Sequence, residues 1–173
     1  NLTRHLSLVS SDGERRSGNP LARFAPPTIK INVICGNITA VDHLPGVTSA
    51  IDAIGVGHYS GGKPETAMQA IDILISSALV DGEPPAESDR VLYQFTQRGT
   101  IQSKLAQTFL LNDPSPRGKE LDRVVAIAGM GAPGRFGSPE LTVLARELCW
   151  TVGRIGKSHL ATVLIGAGNG NLS

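Results

Sequence analysis

Aromatic residues, cysteines and net charge are all scarce in this sequence. Phe, Trp and Tyr make up 4% of the 173 residues, which argues against a stacking surface for nucleic-acid bases. The formal net charge of +1 gives no electrostatic case for a nucleic-acid partner. Two cysteines are too few for a disulfide scaffold or a zinc site, so we expect a reducing, cytoplasmic setting. The sequence has no apolar run of the ~18 residues that suggest a transmembrane helix.

Small and apolar residues are abundant instead. Hydrophobic residues make up 40% of the chain and charged residues 18%, and there are 20 glycines, which favours closely packed α/β layers. Residues 1–27 are polar and basic with scattered Gly and Pro, and we interpret them as a flexible basic arm or linker. Residues 28–173 are predicted to form one α/β domain. Because the chain does not start with Met and stops after a glycine-rich segment, we expect it to be part of a longer protein.

Strand and helix patterns alternate along residues 28–173. Apolar runs and alternation predict strands at 29–35, 50–56, 108–111, 123–128 and 160–165. Helical spacing and cap residues predict helices over 64–80, around 90–97 and over 138–155, with a turn at 115–120. The last helix joins two strands, which predicts that these two strands are parallel neighbours.

Three glycine-rich segments directly follow predicted strands. They are Gly57–Pro64, Gly129–Gly137 and Gly166–Asn171. Glycine tolerates positive φ, and without a Cβ its backbone N–H can come close to an anion. Three strand ends that open into such segments predict one ligand site at one edge of the sheet.

Familiar catalytic motifs fit these segments only in part. The spacing from Gly57 to Gly62 and Lys63 is that of a phosphate-binding P-loop, but the next residue is Pro64, where a magnesium-binding Ser or Thr is needed. The segment also lacks the first glycine of a G-x-S-x-G nucleophile elbow, because His58 stands there. His58 is therefore interpreted as cleft lining, with a ligand contact or a general base as alternatives.

Two cysteines and one arginine have less specific interpretations. Cys149 falls on the apolar face of the last helix and is predicted to be core. Cys35 ends a predicted strand and is interpreted as buried packing rather than a nucleophile. Arg135 stands in a loop before a helix, where it is either a solvated charge or a contact to phosphate or carboxylate.

The order of these segments resembles that of macro domains. Val33–Thr39 resembles their G-D-I-T segment, and Ala53–Val56 resembles their D-A-I-V strand. Gly61–Ile71 resembles the first phosphate loop and the helix after it, and Val163–Gly170 resembles the second phosphate loop. The resemblance implies an α/β fold, namely a three-layer α/β/α sandwich with a mixed sheet and glycine-rich loops at the C-terminal ends of strands. It also implies ADP-ribose or another phosphate-bearing nucleotide as ligand.

The resemblance also implies a set of ligand-binding residues and no catalytic ones. The family's adenine-contacting Asp is replaced by Asn37, and its asparagine-rich ribose segment is replaced by Gly57–Ser60. Hydrolysis of ADP-ribosyl groups is therefore not expected, and neither a metal nor a cofactor is assigned. The expected ligand-binding residues are Asn37, His58, Ser60, Gly61, Gly62, Arg135, Gly166, Gly168, Asn169 and Gly170.

A related resemblance leaves the function open. Val124–Ile155 resembles the strand, loop and helix of the leucyl aminopeptidase N-terminal domain, which is macro-like and carries no catalytic residues. The first hypothesis is a ligand-binding or regulatory domain of a larger bacterial protein. The second is a structural or interaction domain without a small-molecule ligand, contacting an adjoining domain, subunit or attached protease domain. The third is an enzyme that uses His58 or Cys35 as base or nucleophile.

Overall fold

The computed structural model describes residues 29–166 of the chain. Two compact units divide the chain, Asn1–Val33 and Ile34–Ser173, and every described helix and strand belongs to the second unit. The predicted arm at 1–27 lies outside the described residues. So do three of the expected site residues, Gly168, Asn169 and Gly170.

Strands and helices alternate along the second unit. The first strand and the two helices after it are β1 (Ala53–His58), α1 (Thr66–Val80) and α2 (Val91–Gln97). They are followed by β2 (Thr108–Asn112), α3 (Pro116–Glu120), β3 (Val124–Gly129), α4 (Ser138–Arg154) and β4 (Leu160–Thr162). Short 3₁₀ helices span Ile38–His43 and Glu87–Asp89. None of the helices within residues 29–166 is long and apolar enough to cross a membrane.

The four strands form one mixed sheet in the order β2-β3-β1-β4. Strand β1 is parallel to β3, with registers running from Ala53 beside Val124 to His58 beside Gly129, and it is also parallel to β4. Strand β2 pairs antiparallel with β3. The predicted α/β class is confirmed. The prediction that the last two strands are neighbours is wrong, because the apolar strand β1 lies between them and pairs with both.

The residues of β1 and β3 alternate between two hydrophobic clusters. One cluster packs α1 and α2 against the sheet and contains Val41, Ile54, Val56, Met68, Ile71, Ile75, Leu92, Ile101, Val125 and Ile127. The other packs α4 against the sheet and contains Ala53, Val124, Ala126, Ala128, Met130, Phe136, Leu144, Leu148, Val152 and Ile165. A Cβ at Gly55 would lie 3.1 Å from Leu148, so the small residue lets α4 pack closely on β1. Both faces of β1 are therefore buried, which fixes it at the sheet centre.

Several local predictions are corrected by the structure. Residues 29–35 form no strand, although their alternation suits one, because none of the described strands pairs with them. Cys35 is exposed rather than buried. Cys149 is exposed as well, because α4 buries Leu148 and Val152 and turns the intervening position outward.

The segment predicted as a turn at 115–120 forms the short helix α3 instead. The side chain of Ser115 accepts a hydrogen bond from the Gly118 N–H at 3.0 Å, and Pro116 occupies the first turn. A Cβ at Gly118 would lie 2.2 Å from Asp113, so only glycine fits beside that carboxylate. The cap residue and the proline together explain why a helix forms here.

Buried charges hold the end of the sheet where β1 and β3 begin. The Arg123 side chain, which is 5% exposed, donates to Asp42 and lies 3.6 Å from the carboxylate of Asp113. Its Nε also donates to the Ile51 carbonyl at 2.8 Å. This network ties the 3₁₀ helix at Ile38–His43, the start of β1 and the end of β2 to one another.

A second buried acid connects α1 to α2. Asp72 accepts hydrogen bonds from the N–H groups of Leu92 at 2.8 Å and Tyr93 at 3.1 Å. Ser76 donates to Asp72 and accepts from the Val91 N–H at 3.1 Å. Three N–H groups of the first turn of α2 thus find their acceptors on α1, where the cap residue of α2 supplies no side-chain acceptor.

Candidate functional site

The polar residues of interest meet at one edge of the sheet, which we call the carboxyl edge. It is the edge where the parallel strands β1 and β3 end, at His58 and Gly129. Because β2 is antiparallel, it begins there, with Thr108 beside Ala128. Three loops therefore meet at this edge: residues 59–65 after β1, 98–107 before β2, and 130–137 after β3.

A buried hydrogen bond between His58 and Ser103 lies at the centre of these loops. Nδ1 of His58 is 2.6 Å from Oγ of Ser103, and the two residues are 5% and 3% exposed. Ser103 has φ of +53°, a left-handed conformation that costs free energy for a residue other than glycine. Its carbonyl accepts from Oγ of Ser60 at 2.7 Å and from the Gly131 N–H at 3.0 Å. Two donors and the ring of His58 hold this strained residue in place.

Further backbone contacts draw the strand ends together. The Met130 N–H donates to the His58 carbonyl, and the Ser60 N–H donates to the Gly131 carbonyl, both at 2.9 Å. A Cβ at Gly57 would lie 2.7 Å from both Met130 and Ile165, so the segments after β3 and β4 can approach β1 only because this residue is glycine. The ends of β1 and β3 and the segment after β4 thus lie side by side.

Burial sets the charge state of His58. Burial lowers the pKa of the imidazole below its ordinary value, while the backbone of Lys63 and Gly62 and the charge of Glu65 oppose this shift. The ring is therefore neutral at pH 7. Its Nε2 is buried, lies 4.0 Å from the position of a Cβ on Gly62, and makes no well-formed hydrogen bond among residues 29–166, where only weak bonding to the backbone of Lys63 and Gly62 is within its reach.

Two other buried polar atoms at this edge also lack partners within the described part of the chain. They are Oη of Tyr59, whose ring packs edge-on against Phe136, and Oγ1 of Thr108. Thr108 and Ser103 line a cavity of about 40 Å³. A space of that size holds a few waters, whereas nucleotide sites are many times larger. The cavity itself is therefore not a nucleotide pocket.

The expected ligand-binding residues occupy different surroundings. Gly61 has φ of +77° and open space where a Cβ would be, and Gly166 has φ of +89°. Arg135 is exposed in the loop after β3. Asn37 already uses its side-chain oxygen, which accepts from the N–H and the hydroxyl of Thr39, both at 3.0 Å. The structure thus joins His58, Ser60 and the loop that carries Gly61 and Gly62, while Asn37 caps a 3₁₀ helix.

Sequence reasoning missed Ser103. The residue stands in a polar loop ahead of β2, and its partner His58 is 45 positions earlier in the chain. No local pattern marks a serine that will adopt positive φ, so only the folded arrangement reveals the pair. Within residues 29–166 no group of three or more His, Cys, Asp or Glu side chains could hold a metal ion.

Comparisons with known proteins add no assignment. No protein-family model matches the chain, and none of the curated proteins compared with it is significantly similar. Function is therefore inferred from the geometry of the carboxyl edge and from the motif resemblance to macro domains.

Proposed function

We propose that residues 28–173 form a macro-like domain that binds a phosphate-bearing nucleotide, with ADP-ribose as the first candidate. The observation that carries this proposal is the buried His58 at the end of the central strand, whose Nε2 faces the glycine-containing loop after β1 and makes no well-formed hydrogen bond among the described residues. The domain would serve as a ligand-binding or regulatory module of a larger cytoplasmic protein of bacterial type. No catalytic residue is assigned to it.

The mixed sheet supports the proposal that the macro-like domain is a three-layer α/β/α sandwich. A mixed sheet with a parallel centre and separate clusters packed by α1 and by α4 is what a three-layer α/β/α sandwich of macro type requires. In open sheets of this kind, ligands bind beyond the carboxyl ends of the strands. The loop of Gly61 and Gly62 and the turn at Gly166 lie after such strand ends.

The chemistry of the loops supports an anionic ligand. Gly61 and Gly134, in the two loops after β1 and β3, have the positive φ that anion-binding loops use. Helix α1 begins without a side-chain cap, so the N–H groups of its first turn are not occupied by a capping side chain. Arg135 would add a positive charge in the loop after β3.

Calorimetry with ADP-ribose tests the proposal, and the chain offers a matched pair of glycine variants. Gly61 and Gly156 have φ of +77° and +80°, and at both positions an added Cβ would meet no described atom within 4 Å, so alanine causes the same backbone strain at both. Gly61→Ala should weaken binding by about tenfold, which is a change of ~1.4 kcal/mol, while Gly156→Ala should leave it unchanged. No heat with ~1 mM ADP-ribose would make the proposal untenable.

Charge variants provide a second, independent pair. Arg135→Ala removes an exposed charge at the carboxyl edge, and Arg154→Ala removes an exposed charge at the far end of α4. If the ligand carries phosphate, only the first variant should weaken binding and reduce its salt dependence. Equal effects of the two variants would indicate nonspecific attraction.

An interaction domain is the second candidate, and exposed residues of α4 favour it. Trp150 is 63% exposed and Cys149 beside it is also exposed, although large aromatic side chains are usually at least partly buried. An adjoining domain or subunit that packs on α4 would cover them. Light scattering of the intact protein and its Trp150→Ser variant tests this: loss of association in the variant supports the candidate, and a monomer in both cases counts against it.

A further inference from the structure

Hydrogen-bond geometry at His58 determines which ring nitrogen carries the proton. The hydroxyl of Ser103 has one partner in the described chain, Nδ1 of His58. If Nδ1 carried the proton, the lone pair of Nε2 would be buried without a well-formed bond, and the hydroxyl hydrogen of Ser103 would depend on water in the adjoining cavity for a partner. If the hydroxyl donates to Nδ1, the Nε2–H group alone is without a partner. Every unpaired buried polar group destabilises the fold, so the second arrangement, which leaves fewer of them, is favoured.

Backbone strain at Ser103 is maintained by this arrangement. A left-handed serine is strained, and it persists where surrounding contacts over-determine it. The contacts here come from two of the neighbouring loops, through Ser60 and Gly131. Their shared effect is to place the Ser103 hydroxyl against Nδ1 and so to direct Nε2 away from it, toward the loop at Gly62.

We propose that Ser103 is a positioning residue that fixes His58 as an Nε2–H donor, and that this donor binds a phosphoryl oxygen of the ligand. This inference rests on the proposed function and names the group that would recognise the buried end of the ligand. The neutral donor suits an oxygen acceptor, since it supplies a hydrogen bond without the cost of burying a second charge. The backbone N–H groups of the adjacent glycine loop would contact the remaining oxygens.

The ligand-free protein tests the positioning role first. Ring ¹⁵N NMR of His58 should show the Nε2-protonated tautomer in the wild-type chain. Ser103→Gly removes the hydroxyl and also relieves the strain of positive φ, so the variant should fold and yet show a mixture of tautomers. A wild-type ring protonated at Nδ1, or an unchanged tautomer in the variant, would overturn the assignment.

The donor role is tested with two probes, inorganic phosphate and ADP-ribose. Each is titrated while the Nε2–H signal is followed, and a saturable shift with either probe is expected. His58→Gln keeps a side-chain N–H near the position of Nε2, whereas His58→Asn keeps one near Nδ1. Binding measured by calorimetry should stay within about threefold in the first variant and weaken by about tenfold in the second.

The outcomes separate this inference from the proposed function. Heat of binding with an unmoved Nε2–H signal would leave the ligand-binding function standing and reject His58 as the donor. If neither probe gives heat of binding or a shift of the Nε2–H signal, the donor role of His58 and the ligand-binding function are both rejected. A shift with phosphate but not with ADP-ribose would support the donor and replace the nucleotide by a smaller phosphate ligand.

Discussion

Replacing Asp72 by alanine should destabilise the domain by about 3 kcal/mol. The carboxylate is 1% exposed and accepts from the N–H groups of Leu92, which is fully buried, and Tyr93, which is half-buried. Alanine leaves both donors without an acceptor, and each buried unpaired donor costs about 1–3 kcal/mol. The gain in helix propensity at position 72 returns only a few tenths of a kcal/mol. A loss of ~3 kcal/mol corresponds to a fall in Tm of roughly 10 °C.

Urea denaturation followed by circular dichroism measures this loss. Asp89→Ala is the matched control, because Asp89 is an exposed acid just before α2 and should change stability by less than about 0.5 kcal/mol. If Asp72→Ala is as stable as the control, the acid on α1 does not hold the start of α2.

The pH dependence of the same variant gives a sign that can be checked. Burial raises the pKa of Asp72, while hydrogen bonds from Leu92, Tyr93 and Ser76 and the charge of Arg90 oppose the shift. A carboxyl whose folded pKa is raised binds more protons in the folded state, so its contribution is largest below its unfolded pKa of about 3.9 and is lost as pH rises through the folded pKa. The difference in stability between wild type and Asp72→Ala should therefore shrink with rising pH. A difference that grows with pH would refute the assigned shift.

Three further predictions concern the two ends of the sheet. Arg123→Met leaves the buried Asp113 without its cation and should lower the free energy of unfolding, measured by urea denaturation, by about 3–5 kcal/mol. Adding Asp113→Asn should restore part of this loss. Additive effects of the two substitutions would contradict the pairing. Gly129→Ala would place a Cβ 2.0 Å from the Lys104 carbonyl, so it should lower the free energy of unfolding by at least about 1–3 kcal/mol. It should also shift the ring NMR signals of His58. An unchanged His58 spectrum would count against the packing described. Because burial lowers the pKa of His58, its contribution to stability is present above about pH 6.5 and is lost as the pH falls through the folded pKa. His58→Gln should therefore lose less stability than wild type as the pH falls. Urea midpoints measured between about pH 7 and 5 check this.

Local sequence patterns were sufficient for most elements and insufficient for their arrangement. The apolar runs of β1 and β3 and the proline near the start of α4 are local signals, and the structure has these elements within a few residues of the predicted bounds. Strand order is not local: β1 has β3 on one side and β4 on the other, and no pattern within a single strand names its neighbours. The alternation at 29–35 is a period-two pattern, but a pattern without a partner strand makes no ladder.

The site was less predictable than the fold for a related reason. Glycines after strands are visible in the sequence, so the loop of Gly61 and Gly62 could be proposed. The role of Asn37 could not, because a side-chain oxygen that caps its own 3₁₀ helix looks in sequence like one that is free for a ligand. Ser103 depends on a strained φ and on a partner 45 residues away, neither of which has a sequence signature.

The two ends of the sheet differ in how completely their buried polar atoms are paired, and this difference supports function at the carboxyl edge. At the opposite end, Oδ2 of Asp113 lacks a hydrogen bond within the described chain but still faces the guanidinium of Arg123 at 3.6 Å. At the carboxyl edge, Nε2 of His58, Oη of Tyr59 and Oγ1 of Thr108 have neither a well-formed hydrogen bond nor an ion pair within residues 29–166. Unpaired buried polar atoms destabilise a fold, and where three gather at one edge the usual reasons are bound water, a ligand or a moving segment. Water suffices for Thr108 beside its small cavity, but His58 is held by a strained serine that a mere water site does not need. The His58 imidazole is therefore the side chain whose behaviour most directly tests the ligand hypothesis.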